Sequence, residues 1–335
     1  MDTTRRDFVG IGAAAAAVAS TGAHAATAKG AKADVNKPYA GKHDALYVAA
    51  YGPVDSNLKW DHGAFDEMLA YWKANGADGA LVLGSTGEGQ SFSMAERKAV
   101  IERVGKNKHG LEIIVATGTP NFPDTIELSK HAADHGADCS LIVPPFYAPK
   151  PSGDGVLAYF DKVFAQVKTP VRYYHIESWT GVPVTDMKVW STLAQNSQFV
   201  GVKYTGRDPK EYENIAAQMP TKTVHTGTDG NVELSLSHGN GAILASANIF
   251  TRQWAEVWKA KRAGQDIKPL MAKVQAAQAL FKQEGYGKGT AADKYALSVL
   301  LGSRQTFSRP PELNNVSDAE KANIRNAVAQ LKAMA

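Results

Sequence analysis

A lysine at the end of a short apolar segment is the residue of this sequence best suited to covalent chemistry. Lys203 closes the segment 199–203 (FVGVK), where alternation along a strand predicts that it shares a face with Phe199 and Gly201, the glycine leaving room for a substrate. A free lysine has a pKa of about 10.4, but burial in an apolar site lowers the pKa and frees the lone pair for attack on a ketone. A structural lysine with a paired charge is the alternative that this segment leaves open.

A glycine turn that carries two hydroxyls offers a second chemical group. Residues 84–88 read Gly-Ser-Thr-Gly-Glu and lead toward a predicted helix, so Ser85, Thr86 and several backbone N–H groups are suited to holding a carboxylate or a phosphate. An ordinary helix cap is the alternative interpretation, because serine and threonine favour such positions.

Two groups of aromatic residues place phenols after predicted strands. Tyr173 and Tyr174 end one strand, and residues 144–147 (PPFY), with Tyr147 last, follow another. A phenol can relay protons during addition to a carbonyl and during carbon–carbon cleavage. Packing at the rim of the fold, with the hydroxyl hydrogen-bonded, is the alternative for each tyrosine.

The histidines do not predict a metal site. His131 and His135 are four residues apart on a predicted helix, but the glutamate that an H-E-x-x-H motif requires does not stand between them. We therefore expect both histidines to face solvent. The sequence also contains no P-loop and no dinucleotide-binding fingerprint.

Short apolar segments alternate with amphipathic segments from Leu46 to Arg262, and this alternation predicts eight strand–helix units. Eight such units close most simply into a (β/α)8 TIM barrel, which we predict for residues 44–265, with a C-terminal helical segment over residues 266–335. The rival architecture, an open doubly wound α/β sheet, usually carries a glycine-rich loop after its first strand, and residues 52–55 (GPVD) are not such a loop. In a barrel the active site lies at the carboxyl ends of the strands.

The composition of the chain is that of a folded globular protein. Of its 335 residues 44% are hydrophobic and 21% are charged, with 30 glycines and 15 prolines, which excludes collagen, coiled coil and wholesale disorder. Cys139 is the only cysteine, so an intramolecular disulfide and a cysteine-based zinc site are excluded. The formal net charge is +4 and dense basic clusters are absent from the sequence, which argues against nucleic-acid binding.

The N-terminus predicts an exported protein. Residues 1–25 resemble a twin-arginine signal peptide, because Arg5 and Arg6 precede a short apolar run and an Ala-x-Ala ending at Ala25. The run is too short to span a bilayer at ~1.5 Å per residue, so we expect a periplasmic protein that does not associate with a membrane. An uncleaved or lipid-anchored N-terminal helix is the alternative. Residues 26–43 are predicted to be a flexible leader.

Together these motifs resemble the dihydrodipicolinate synthase / N-acetylneuraminate lyase superfamily. The likeness extends from about residue 46 to residue 331, and the order and spacing of the motifs agree. The residues that carry it are segments 84–88, 144–147, 201–203, 227–229, 241–248 and 309–311, together with Tyr174 and Lys294.

The resemblance implies a class I aldolase with pyruvate as donor or product. It implies that Lys203 forms the Schiff base, that Tyr174 is the acid–base phenol, and that Tyr147 helps to shuttle protons in a neighbouring subunit's site. It also implies a homo-oligomer, a tetramer or a dimer, and no metal or organic cofactor, because the protonated imine is itself the electron sink. The substrate-binding residues that it implies are Ser85 and Thr86, for the pyruvate carboxylate, and Thr205, Asp229 and Ile243.

The sequence departs from the family pattern after the fifth strand, where residues 174–181 read YHIESWTG. Trp179 stands where the dihydrodipicolinate-forming branch has a basic residue that recognises a substrate carboxylate, and Glu177 would repel a second carboxylate if it faces the pocket. We expect Trp179 to stack on a substrate ring, with the filling of a subunit interface as the alternative. The partner of pyruvate is therefore expected to be a neutral aldehyde, sugar-derived or aromatic.

Two further functions stay open. A dehydratase of the same family would act on a 2-keto sugar acid through the same imine and would expel water. A non-catalytic keto-acid binding protein would retain the pocket, but binding alone would not need the nucleophilic amine of Lys203.

Overall fold

Eight parallel strands close into a barrel in chain order in the computed structural model of the protein, which describes residues 43–147, 150–282 and 289–334. The last strand returns to the first, with Leu46 opposite Ala242. The predicted (β/α)8 barrel is therefore confirmed. The strands are β1 (Leu46–Ala49), β2 (Gly79–Val82), β3 (Glu112–Ala116), β4 (Cys139–Ile142), β5 (Val171–His175), β6 (Phe199–Tyr204), β7 (Thr223–Thr226) and β8 (Ala242–Leu244).

Helices follow the strands and form an outer layer, and three more helices lie at the C-terminal end of the chain. Those of the barrel are α1 (His62–Ala74), α2 (Met94–Lys106), α3 (Phe122–Asp134), α4 (Gly153–Gln166), α5 (Glu177–Thr180), α6 (Met187–Ala194), α7 (Pro209–Ala217), α8 (Val232–Ser237) and α9 (Ala247–Arg262). The C-terminal helices are α10 (Lys268–Leu280), α11 (Thr290–Leu301) and α12 (Asp318–Ala333).

Polar caps fix where several of the helices begin. The side chains of Asp61, Asn121 and Ser152 accept hydrogen bonds from backbone N–H groups in the first turns of α1, α3 and α4. Ser93 forms a reciprocal capping box with Glu96 at the start of α2. Each cap satisfies N–H groups that have no partner inside the helix, so each helix starts at a defined residue after its loop.

Apolar side chains of the strands fill two layers. Side chains on the outer face pack against the helices, where Trp72, Trp190 and Trp254 are almost completely buried. Side chains on the inner face, such as Tyr47 and Leu81, fill the barrel itself. Because both faces are covered, the strands are nearly continuous apolar segments rather than alternating ones.

The C-terminal helices share the core of the barrel's outer layer. Val274 of α10, Leu297 of α11 and Leu331 of α12 belong to the same buried cluster as Trp254 of α9. The C-terminal segment therefore packs onto one side of the barrel and does not build a core of its own.

A bulge in β6 corrects one sequence-based prediction. The register with β5 shifts so that Val171 pairs with Phe199 while the next residue pairs with Gly201, which leaves Val200 as an extra residue. Phe199 therefore points outward into the helix layer, whereas Lys203 points into the barrel, and the prediction that they share a face is wrong.

Gly201 makes this bulge possible and does not make room for a substrate. Its backbone φ is +142°, and a Cβ atom at this position would lie 1.9 Å from the carbonyl oxygen of Thr223 on β7. A side chain here would clash with the backbone of the neighbouring strand, so glycine is required where β6 changes register.

The predicted signal peptide, residues 1–25, and all but the last residue of the predicted leader lie outside the described residues. Among the helices of the described ranges, none combines the length and the apolar character that crossing a membrane requires. The export prediction therefore rests on the sequence alone.

Candidate active site

Lys203 enters the barrel interior near the carboxyl end of β6 and is 3% exposed. It is the register partner of Tyr174 in the parallel β5–β6 pair, and its Nζ atom lies 4.4 Å from the centroid of the Tyr174 ring. Over the ranges that the structure describes, Lys203 forms no ion pair with a carboxylate. The described residues thus give no support to the alternative of a carboxylate-paired structural lysine.

Tyr174 connects Lys203 to the glycine turn. Its hydroxyl oxygen lies 3.1 Å from Ser85 Oγ. Burial alone raises the pKa of Tyr174, but the positive charge of Lys203, together with the hydrogen bond to Ser85 and the nearby polar groups, outweighs burial and lowers the pKa below its usual value. A phenol with a lowered pKa exchanges its proton more readily near neutral pH. One polar cluster at the carboxyl ends of β2, β5 and β6 comprises the side chains of Ser85, Tyr174, Lys203 and Thr205.

The turn that carries Ser85 has a strained backbone. Leu83 and Glu88, on either side of it, adopt left-handed conformations with φ of 60° and 53°, although neither is glycine. Such conformations cost about 1–3 kcal/mol each and persist only where the surrounding structure holds them. The position of Ser85 therefore depends on contacts that fix the turn.

A buried ion pair fixes the end of this turn. The Lys294 ammonium of α11 binds the Glu88 carboxylate and also donates to the carbonyl oxygens of Gly52 and Phe307, at 2.7 and 2.8 Å. The second carboxylate oxygen of Glu88 accepts the backbone N–H of Arg309 at 2.9 Å. Lys294 is fully buried, so the C-terminal segment is tied to the glycine turn by a charge pair shielded from solvent.

A cavity of 280 Å³ opens beside Ser85 and Tyr174. Lys203 does not line this cavity, but the Tyr174 ring lines it and also contacts the Lys203 amine. Most of its wall is apolar, and the charged side chains that line it in the described part of the chain are Glu88, Arg309 and Glu312. The apolar side chains include Leu83, Leu141, Val143, Phe146, Ile176 and Trp179.

The cation that lines the cavity, Arg309, is fully engaged by the protein. It forms an ion pair with Glu96, donates to the carbonyl oxygens of Leu58 and Ser91 at 2.8 and 2.7 Å, and stacks on the Phe92 ring at 4.2 Å. Its hydrogen bond lowers the pKa of Glu96 to about 2. The described wall of the cavity therefore offers no unpaired cation to a substrate carboxylate.

The structure places three of the predicted site residues at or near the rim. Trp179 of α5 lines the cavity and is 71% exposed. Tyr147 is 97% exposed and follows Phe146 of the cavity wall, so its phenol projects away from this chain. Thr86 is half-buried in the glycine turn but does not line the cavity.

Asp229 and Ile243 are not brought to the cavity. The Asp229 carboxylate accepts hydrogen bonds from the Ser246 hydroxyl at 2.7 Å and the Gln278 amide at 2.6 Å, and burial raises its pKa. Ile243 is fully buried among the side chains inside the barrel. In this structure Asp229 joins α10 to the loops after β7 and β8, and substrate binding by either residue stays a prediction.

The unusual residues after Tyr174 do not point into the cavity either. His175 faces the outer layer, where its Nε2 lies 3.0 Å from Glu211 Oε1 and its ring stacks on Tyr204 with centroids 5.5 Å apart. Glu177 is exposed at the start of α5. Neither side chain lines the cavity, so repulsion of a second carboxylate by Glu177 inside the pocket is not what this structure shows.

The prediction that His131 and His135 face solvent is wrong. Both are half-buried, and their rings lie against each other with centroids 4.0 Å apart. The Nε2 atom of His131 is 3.2 Å from Glu102 Oε1 on the neighbouring helix. The spacing of four residues correctly put them on one helical face, but that face packs against α2.

Sequence reasoning missed the part of the cavity that the C-terminal segment supplies. Thr290, Arg309, Pro311 and Glu312 line it together with the residues of the barrel. The Arg-Pro-Pro motif was visible in the sequence, but its spacing from Lys203 carried no information about where it folds.

A family model, curated relatives and a solved structure all relate this chain to the same protein family. The dihydrodipicolinate synthetase family model matches residues 42–331. An uncharacterized DapA-like lyase from Chloroflexus aurantiacus is 34% identical over 86% of this chain and 94% of its own length. A 4-hydroxy-tetrahydrodipicolinate synthase from Acidiphilium cryptum is 33% identical over 86% of this chain and 98% of its own. Among solved structures, a prophage protein of the dihydrodipicolinic acid synthase family from E. coli K12, in complex with pyruvate, superposes with a TM-score of 0.76 and 25% identity over 86% of this chain and 98% of its own.

Replacing Lys294 by methionine is expected to destabilise the protein strongly. The substitution leaves the Glu88 carboxylate, which is 9% exposed, without its cation, and breaking a buried pair in this way costs about 3–5 kcal/mol. Urea denaturation of Lys294→Met measures the loss as a lower free energy of unfolding. The double variant Glu88→Gln/Lys294→Met is expected to recover part of it.

The matched control is Lys98→Met, which breaks the ion pair with Glu127 on the surface. Exposed pairs contribute little because solvent screens them, so this variant is expected to unfold at nearly the wild-type urea concentration. Equal losses in the two single variants would show that burial of the Glu88–Lys294 pair is not what stabilises the turn.

Proposed function

This chain belongs to the dihydrodipicolinate synthetase family, and we propose that it is a pyruvate-dependent class I aldolase that forms a Schiff base on Lys203. The observation that carries the proposal is the contact of the Lys203 amine with the Tyr174 ring, with the Tyr174 hydroxyl 3.1 Å from Ser85 Oγ. These groups supply a nucleophile, an acid–base group and a carboxylate-binding hydroxyl where a barrel carries its chemistry.

Lys203 acts on the keto carbon of pyruvate. The neutral amine adds its lone pair to that carbon while the carbonyl oxygen takes up a proton, and loss of water from the resulting carbinolamine leaves a protonated imine. Removal of a proton from the adjacent methyl group gives an enamine. Its terminal carbon then bonds to the aldehyde carbon, the aldehyde oxygen is protonated, and hydrolysis of the imine restores the amine. Cleavage is the reverse sequence.

Tyr174 carries the protons of these steps. Before the attack, the charge of the Lys203 ammonium and the polar groups around Tyr174 lower the pKa of the phenol against the effect of burial, so Tyr174 exchanges protons readily with the ammonium and, once the amine is neutral, with the carbonyl oxygen. We assign Tyr147 the role of a second phenol that reaches the site of a neighbouring subunit, because it is 97% exposed beside the cavity wall. The protein is on this proposal a homo-oligomer, a tetramer or a dimer.

The pyruvate carboxylate binds to the turn that follows β2. Ser85 lines the cavity next to Tyr174, and Thr86 with the backbone N–H groups of the turn completes the set of donors that we assign to it. The similarity to the E. coli protein in complex with pyruvate supports the choice of this 2-oxo acid.

The second substrate is a neutral aldehyde, and the cavity favours an aromatic body over a sugar chain. Phe146 and Trp179 offer flat aromatic surface and Ile176 adds apolar surface, whereas each sugar hydroxyl would need its own hydrogen-bonding partner among the few polar side chains of the wall. Arg309, the cation of the described wall, is already neutralised by Glu96. A carboxylate on the aldehyde would lose its hydration here without gaining a partner.

We also propose that the reaction takes place in the periplasm after twin-arginine export. The support is the Arg5-Arg6 pair, the short apolar run and the ending at Ala25. The N-terminal sequence of protein recovered from the periplasmic fraction is expected to begin at Ala26, and retention in the cytoplasm with Met1 intact would contradict the proposal.

Borohydride reduction in the presence of pyruvate is expected to link a three-carbon unit covalently to Lys203. Reduction converts the imine into a stable amine, so the intact mass of the wild-type protein increases and peptide mapping assigns the adduct to Lys203. Lys203→Ala gains no adduct. Lys222→Ala, which removes a half-buried lysine bonded to the Asn196 carbonyl, reacts like the wild type.

Two neighbouring tyrosines provide a matched control for the acid–base step. Tyr174→Phe is expected to form the adduct about 100-fold more slowly, because one proton-transfer group is lost. Tyr173→Phe removes a buried hydroxyl without a hydrogen-bond partner in the described ranges, and it should react at the wild-type rate. An adduct on another lysine, or equal rates in the two tyrosine variants, would remove the basis of the mechanism.

Steady-state kinetics with pyruvate should favour benzaldehyde over aspartate semialdehyde by at least about tenfold in kcat/KM, since burial of an unpaired carboxylate costs several kcal/mol. The product should be the aldol adduct of pyruvate. A preference for aspartate semialdehyde would overturn the proposed aldehyde class but not the Schiff base, and a dehydrated keto acid formed from a sugar acid would identify a dehydratase.

A further inference from the structure

A cluster of two histidines and a glutamate lies on the outer wall of the barrel, away from Lys203. Glu102 projects from α2, and His131 and His135 lie at the C-terminal end of α3. One nitrogen from each imidazole and one carboxylate oxygen all lie within 4.8 Å of one another. Imidazole nitrogen with carboxylate oxygen is a donor set that suits borderline divalent cations.

Close packing of the two helices holds these donors in place. A Cβ atom on Gly105 of α2 would lie 1.7 Å from the carbonyl oxygen of His135, so the backbones touch where α3 ends. Glu102 precedes Gly105 by three residues and therefore lies on the same face of α2. The donors are thus carried by two helices in fixed contact rather than by loops, which reduces the reorganisation that a bound ion would require.

The hydrogen bond of His135 leaves one ring nitrogen available. Its Nδ1 lies 2.8 Å from the carbonyl oxygen of His131, which can only accept, so Nδ1 carries the proton. In the tautomer that this hydrogen bond selects, the lone pair is on Nε2. A backbone carbonyl bound to the far nitrogen is the usual support for a metal-binding histidine, because it fixes both the tautomer and the ring orientation.

His131 supplies a second nitrogen. Its Nε2 is buried and makes no hydrogen bond to any of the described residues, although Glu102 Oε1 is only 3.2 Å away. Two ligands at about 2.0–2.1 Å from one tetrahedral ion lie roughly 3.3 Å apart, close to this separation.

We propose that Glu102, His131 and His135 bind one divalent transition-metal ion, with Zn²⁺ as the best match. Water completes a tetrahedral site, and the ion joins α2 to α3. Imidazole nitrogens favour zinc over magnesium or calcium, which prefer oxygen ligands. Lys98, the nearby cation, is ion-paired with Glu127, so its charge is offset. The site is independent of the chemistry at Lys203.

Calorimetric titration of the metal-stripped full chain with ZnCl₂ tests the site. The wild type is expected to bind one Zn²⁺ in a step that His131→Ala, His135→Ala and Glu102→Gln each weaken by at least about tenfold. His109→Ala is the matched control, because His109 contacts the carboxylate of Asp66 at 3.1 Å and belongs to no such cluster among the residues that the structure describes. This variant should bind Zn²⁺ like the wild type.

Thermal unfolding gives a second readout that does not depend on catalysis. Zn²⁺ is expected to raise the Tm of the wild type and of His109→Ala, but not that of His135→Ala, and MgCl₂ should raise none of them. Glu102→Gln changes a side chain that is 42% exposed and keeps its shape, so it should fold normally. Zn²⁺ binding of unchanged strength in the histidine variants, or no stoichiometric binding by the wild type, overturns the proposal.

Discussion

The contact between Lys203 and Tyr174 depends on one extra residue in β6. Phe199 points outward and Val200 inward, and strict alternation would then turn Lys203 outward into the helix layer. The bulge at Val200, which only a glycine at position 201 permits, reverses the alternation and directs the amine into the barrel. The chemistry proposed for this protein therefore depends on an irregularity in a strand that otherwise pairs in regular parallel register with β5 and β7.

A second constraint acts from outside the barrel. Lys294 and the backbone of Arg309 hold Glu88, and Glu88 ends the strained turn that carries Ser85. The C-terminal segment thus holds the turn of the candidate site and at the same time forms part of the cavity wall. Arg309 of this segment is paired with Glu96, so the cavity wall that it helps to form is largely apolar and offers no unpaired cation among the described residues.

Much of this arrangement could be predicted from the sequence. The alternation of apolar and amphipathic segments was sufficient for the eight strand–helix units, and motif spacing brought out Lys203, Tyr174 and Ser85, which the structure places in one cluster. The prediction from strand periodicity was wrong in β6, because the alternation of side chains along a sequence does not reveal where a bulge inserts an extra residue. The prediction for His131 and His135 was also wrong, because the spacing of four residues identifies a shared face but not what that face packs against.

The sequence by itself determined the local hydrophobic periodicity and the types of the chemically active residues. The periodicity indicated a parallel barrel, and the residue types indicated a lysine at a strand end, a hydroxyl-bearing turn and phenols nearby. Those features arise from interactions between residues close in the chain, which leave a repeating pattern. Only the tertiary structure decided that Asp229 bonds to Ser246 and Gln278 instead of facing the cavity, and that Lys294 pairs with Glu88 at the end of the glycine turn. Contacts between residues far apart in the chain depend on how whole elements pack, and spacing within one element carries no record of them.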